Sequence, residues 1–135
     1  MNGRIMAFDY GLKRTGIAVS DPLQIIANGL TTVSTDQLFD FIKQYLSQEN
    51  VVTFVVGDPR NLDNTPAEIA DAVHAFVAHL AQLYPHIPIH RIDERFTSKI
   101  AAQSLVMSGV KKKQRQNKAL LDEVSATIIL QSYMK

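Results

Sequence analysis

The chain contains no cysteine, so it can form neither a disulfide nor a thiolate zinc site, which suits a reducing cytoplasm. No apolar run approaches the ~20 residues of a membrane span, so no membrane association is expected. The start Met1-Asn2-Gly3-Arg4 lacks an apolar core, and no signal peptide is expected there. Internal repeats, low-complexity tracts and linkers are also missing, so the 135 residues are read as a single domain over 1–135 with room for a real hydrophobic core. Histidine is sparse and badly spaced for metal. His74 and His79 are five apart on one expected helix, which does not stack them as i, i+4 ligands, and these two with His86 and His90 read as structural or surface residues.

Acid is absent from one long stretch. Arg95, Lys99, Lys111, Lys112, Lys113, Arg115 and Lys118 make seven cations without one Asp or Glu among them. Such a block marks either a surface for a polyanion or a solvated face. Its densest part, KKKQRQNK over 111–118, also lacks an aromatic residue, which argues against a base-stacking platform and for contact with a nucleic-acid backbone.

What is present has the composition of an ordinary globular protein, 46% hydrophobic and 20% charged, so the patterning carries the information. Gly3–Phe8, Thr15–Ser20 and Ile25–Val33 read as strands, the first two joined by a hairpin with Gly11 and Gly16 as its punctuation. Ser34-Thr35-Asp36-Gln37 has the form of a capping box ahead of Leu38, Phe41, Ile42 and Tyr45 at helical spacing. Val51–Val56 is almost wholly apolar and β-branched, as in a strand covered on both faces, and Gly57-Asp58-Pro59 reads as the turn that ends it. Thr65-Pro66-Ala67-Glu68 opens a second helix with Ile69, Val73, Phe76, Leu80 and Tyr84 on one side. Ile87–Ile92 is a further strand, 97–107 a helix capped by Thr97, Val110–Lys118 a loop, and Lys118–Met134 a last helix. The order β-β-β-α-β-α-β-α-α implies an α/β fold: a mixed sheet, antiparallel meander plus parallel strands, with helices on both faces.

Three acids stand at structural ends. Asp9 follows the apolar run of the first strand, and Glu94 follows the last strand. Ligands collect outside the carboxyl ends of strands in open α/β sheets, so the two could share one edge. Asp122 lies on the side of Ala126, Ile129 and Tyr133 in the last helix. An acid there is costly unless it is paired, hydrogen-bonded or bound to metal. Bland readings stand beside these: Asp9 as a turn residue, and Asp122 as a first-turn acid paired with Lys118. Asp93 reads as an ion-pair partner, and Asp21, Asp58 and Asp63 as turn residues. Carboxylates from separate elements without histidine or cysteine suit Mg²⁺ or Mn²⁺, and two such ions can clamp a phosphodiester.

Four motifs, FDYGLKRTGIAVSD at 8–21, VVGDPRNLDNT at 55–65, DERFTS at 93–98 and KALLDEVSATIILQSY at 118–133, resemble those of the YqgF family, Holliday-junction-resolvase-like proteins also described as pre-16S rRNA nucleases. The resemblance spans nearly the whole chain. It implies a ribonuclease-H-like fold with a mixed five-stranded sheet, and a metal-dependent endonuclease of the bacterial cytoplasm that matures the 5′ end of pre-16S rRNA. It implies Asp9, Glu94 and Asp122 as catalytic and metal-binding residues, with Mg²⁺ or Mn²⁺ in a two-metal arrangement. Lys13, Arg14, Arg60 and Arg95, placed by the motifs beside these acids, are with Lys111, Lys112, Lys113, Arg115 and Lys118 the expected nucleic-acid contacts. Precursor rRNA or branched DNA is the expected partner, together with ribosomal particles. The chain departs from the family pattern at Ala119, at Asp58 and at Asp63-Asn64, and none of these is a proposed ligand.

Two other classes fit parts of the pattern. A phosphate-binding domain of the actin and sugar-kinase type also opens on an acid-x-Gly hairpin, but such proteins need two of these domains and only one is found here. A non-catalytic nucleic-acid-binding or ribosome-associated module would not need the three acids.

Overall fold

The computed structural model describes residues 3–58, 67–93 and 118–134. Arg4–Asp9 forms β1, Arg14–Ser20 β2, Ala27–Ser34 β3, Val51–Asp58 β4 and Ile89–Asp93 β5. Leu38–Gln48 forms α1, Ala67–Leu83 α2 and Lys118–Met134 α3. The strands make one sheet in the order β3-β2-β1-β4-β5. The meander β1–β2–β3 is antiparallel, and β1, β4 and β5 run parallel, so Asp9, Asp58 and Asp93 all close strands at the same edge. This is the mixed sheet that the element order predicts, with the ribonuclease-H-like arrangement that the family resemblance implies.

Alternation in the strands divides the core into two layers. On one face Met6, Phe8, Ile17, Val19, Phe54 and Val56 pack against Leu38 and Ile42 of α1 and Val73, Phe76 and Leu80 of α2. On the other, Ile5, Ala7, Ala18 and Val55 meet Ala126, Ile129 and Leu130 of α3. The small side chains Ala7 and Ala18 let α3 sit close to the middle of the sheet. Burial of this kind, at about 25 cal/mol per Å² of apolar surface, is what fixes α3 on the sheet.

Several boundaries differ from the sequence reading. β3 starts two residues later than expected, because Ile25 and Ile26 lie in the β2–β3 connection, 69% and 58% exposed. Asp21 organises that connection: its carboxylate accepts hydrogen bonds from the backbone N–H groups of Leu23 (3.1 Å), Ile25 (2.8 Å) and Ile26 (2.7 Å). These amides, that of Ile26 foremost, hold the Asp21 carboxyl below its ordinary acidity range. The expected capping box at Ser34 does not form. Ser34 makes no side-chain cap bond, and a 3₁₀ turn over Thr35–Gln37 precedes α1 instead. β4 runs on through Gly57 to Asp58, so Asp58 is a buried strand residue and not a turn residue. Its carboxylate is 3.4 Å from the Arg91 guanidinium on β5. The helix expected at 97–107, the loop at 110–118 and the capping box at Thr65 lie wholly or mainly outside the described residues.

Candidate active site

Asp9 is the last residue of β1 and shares strand parity with Ile5 and Ala7, whose side chains face α3. Its neighbours anchor to the opposite layer. Phe8 meets Phe76 edge-on at 5.4 Å, and Tyr10 stacks on the same ring at 4.8 Å. Aromatic pairs of this type are worth about 0.5–1.5 kcal/mol each beyond their buried area. With both flanking rings fixed on α2, the alternation turns Asp9 to the α3 side. Burial, reinforced by Asp36, raises the Tyr10 phenol above its ordinary value, so it stays neutral.

Gly16 is the cross-strand partner of Asp9. It is also the point where α3 crosses the sheet. A β-carbon at Gly16 would collide with the backbone carbonyl of Asp122 and the peptide that follows it. The sequence reading took Gly16 as a hairpin glycine. It lies instead within β2, and the absence of a side chain there is what admits the first turns of α3. Gly16 is thus bordered by Asp9 across the strand pair and by the backbone of Asp122 above it. The next contact along follows the same logic, since Glu123 lays its carboxylate over Gly29 of β3, 2.6 Å from where a β-carbon would stand.

Arg14, the first residue of β2, has the parity of Gly16 and Ala18 and reaches the same face. Its Nε–H donates to the Asp122 Oδ2 at 2.9 Å, with the two side chains 38% and 23% exposed. The cation expected to touch phosphate is therefore already paired with one of the expected ligands. Lys13 is exposed in the β1–β2 connection. That connection is pinned from outside. The Thr35 hydroxyl donates to the Gly11 carbonyl at 2.6 Å, and the Thr35 N–H donates to the Lys13 carbonyl at 3.0 Å. The Thr35 hydroxyl proton being thus engaged, the buried Thr15 hydroxyl is the donor in their 3.0 Å contact. No periodic signal in the sequence marks Thr35 and Thr15 as the fastening of this connection, or Gly16 as the crossing point of α3.

Lys118 is the first residue of α3, one turn ahead of Asp122. Glu94, Arg60, Arg95, Lys111, Lys112, Lys113 and Arg115 lie outside the described residues. Among the described residues there is no cluster of three or more His, Asp or Glu side chains. Asp58, Arg91 and Asp93 end up together at the same edge but on strands whose parity at 58 directs Asp58 with Phe54 and Val56 to the α1–α2 side. Among the described residues, no helix is long and apolar enough to cross a membrane.

Comparison with known proteins agrees with this architecture. A family model described as RuvX, Holliday junction resolvase, matches residues 3–135. A protein of Flavobacterium johnsoniae named "Putative pre-16S rRNA nuclease" is 51% identical over 131 residues, 97% of this chain and 95% of that one. One of the same name from Bacteroides fragilis is 54% identical over 132 residues, 98% of this chain and 96% of that one. Among solved structures, T. thermophilus RuvC in complex with a Holliday junction substrate superposes with a TM-score of 0.58 at 14% identity, covering 98% of this chain and 96% of that one. The yeast mitochondrial Holliday junction resolvase Ydc2 gives a TM-score of 0.61 at 10% identity, covering 98% and 78%. At such identities the two structures establish a shared fold.

Proposed function

The chain belongs to the RuvX family of Holliday junction resolvases, and from that membership we propose that it is a single-domain, divalent-metal-dependent endonuclease that cuts structured nucleic acid, with 5′-end maturation of pre-16S rRNA in the cytoplasm as its task. The observation that supports the reading is that Gly16, paired with Asp9 at the carboxyl edge of the parallel strands, is also where the backbone of Asp122 crosses the sheet. Its relatives at about half identity carry the pre-16S rRNA nuclease name, which favours RNA of ribosomal particles over branched DNA.

The donor set fits a hard cation. Both acids supply oxygen, and no cysteine exists to bind softer metals. Asp9, Asp122 and Glu94 would hold Mg²⁺ or Mn²⁺ in pairs. A divalent cation held by these residues would supply Lewis-acid polarisation of a phosphodiester and activation of water near neutral pH. The chain itself positions the substrate. Lys13 and Arg14 flank the acids and would face phosphates adjoining the scissile one. Lys111–Lys113, Arg115, Arg60, Arg95 and Lys118 extend that contact along the backbone, which confers affinity and register without sequence choice.

The test is a cleavage assay on precursor rRNA fragments and on four-way DNA junctions, with wild type, Asp122→Asn and Glu94→Gln in parallel, and with and without chelator. Cleavage of the rRNA fragment at its 5′ boundary, lost in both variants and on chelation, is expected. Preferred cutting of junctions would reassign the substrate, and chelator-resistant cutting would remove the metal.

A further inference from the structure

Resting on the metal-site reading above, we infer that Arg14 is a positioning residue that occupies the place of a metal: its guanidinium acts as a built-in counter-ion for Asp122, and a divalent cation must displace it. Asp122 sits where α3 crosses the sheet, with its backbone carbonyl pressed on Gly16. A carboxylate fixed there needs a cation or donors. Arg14 supplies both, through the Nε–H to Oδ2 bond of 2.9 Å. The pair spans 108 positions of sequence, so it ties α3 to β2.

The bond is also one that a cation can break. It engages one guanidinium nitrogen and one carboxylate oxygen, and the pair is partly exposed, the arginine at 38% and the aspartate at 23%. Ion pairs this open are weak, so the competition lowers metal affinity by only about two- to five-fold. Arginine cannot lose its charge at physiological pH, so the only way to clear Asp122 is to move the guanidinium. It leaves from the first residue of β2, at the mouth of the β1–β2 connection, which Thr35 holds fixed. The side chain is thereby delivered to the same edge where phosphates would lie. One cation thus performs two tasks in turn: it holds Asp122 before metal arrives and meets the nucleic-acid backbone after.

The direction of the effect separates this role from a structural one. Binding of Mn²⁺ alone is measured by titration calorimetry for wild type, Arg14→Gln, Arg14→Lys and Asp122→Asn. Arg14→Gln is expected to bind Mn²⁺ about two- to five-fold more tightly than wild type, with Arg14→Lys close to wild type and Asp122→Asn much weaker. A merely structural arginine would give the opposite sign, since its loss would slacken α3 and weaken the site. Weaker or unchanged binding by Arg14→Gln, with wild type binding and Asp122→Asn failing, overturns the inference and leaves the metal-site reading intact. Absence of Mn²⁺ binding by wild type, or full binding by Asp122→Asn, overturns both. A measurement on the wild-type protein covers the case of a variant that does not fold. The Arg14 Nε–H resonance should move to the position of an unpaired arginine as Mg²⁺ is added, and a resonance unmoved at saturating Mg²⁺ also overturns the inference.

Discussion

Asp9 closes β1, and Asp21 directly follows β2. Each is an acid at a strand end, and each introduces a short connection within the same meander. The Asp21 carboxylate turns back on its own loop and collects three backbone N–H groups. The connection after Asp9 is held by a residue from elsewhere, Thr35, which donates to two of its carbonyls. The side chain of Asp9, set between two rings that pack on Phe76, is directed toward the helix that carries Asp122. An acid at a strand end is therefore ambiguous by position. What distinguishes the two is that Asp21 gathers the amides of its own loop, whereas the loop after Asp9 is fastened by Thr35.

The largest expected effect tests that contrast directly. Asp9→Asn should reduce cleavage by at least about 100-fold, the scale on which a charge-stabilising group at a reacting centre counts. Its thermal midpoint should hold steady or rise slightly, as acids crowded for function are released from repulsion. Asp21→Asn should do the reverse, with full cleavage and a lower thermal midpoint. If Asp21→Asn lost activity while Asp9→Asn kept it, the distinction between the two acids would be wrong. Next in size is a pair of glycine substitutions. Gly16→Val should destabilise by about 3 kcal/mol in denaturant unfolding, because its side chain meets the backbone of α3, which cannot yield. Gly29→Ala should cost below about 1 kcal/mol, since the obstacle is the end of the Glu123 side chain, which can swing aside. Equal costs would mean that α3 is not pinned at Gly16. The smallest effect is in pH. The Asp21 carboxyl is held below the usual 3.8 by its amides. Its contribution to stability is present above that value and is lost as pH falls through the lower folded value. The stability gap between wild type and Asp21→Asn should be widest near neutrality and close in acid. A gap of the same size at acid and at neutral pH would place the role of Asp21 outside its ionised carboxylate.

Much of the architecture was legible because it rests on local periodicity. The run Val51–Val56 could be little other than a strand buried on both sides, and Val73, Phe76 and Leu80 mark the inner face of α2 by spacing alone. Asp122 was legible as an acid on the buried side of its helix, sharing it with Ala126 and Ile129. The misreadings share a cause. Gly16 was assigned to the turn nearest in sequence, when the backbone that requires it is that of Asp122. Helical spacing pointed only to Lys118 as a partner for Asp122 one turn away, and gave no sign of Arg14, which reaches it from β2. Ile25 and Ile26 extended an apolar run and were counted into a strand, although the carboxylate of Asp21 draws their amides into a loop. Contacts that cross the chain leave no periodic trace, and this site is made of them.

The 108 positions between Arg14 and Asp122 also set a timetable. Synthesis runs from the N terminus, and domains fold as units as they emerge. A nascent chain carries Asp9, Arg14 and the whole meander long before α3 exists. Contacts of such separation are late in folding, because a large loop must close before they repay its entropy. The proposed site is thus incomplete until α3 has cleared the ribosome.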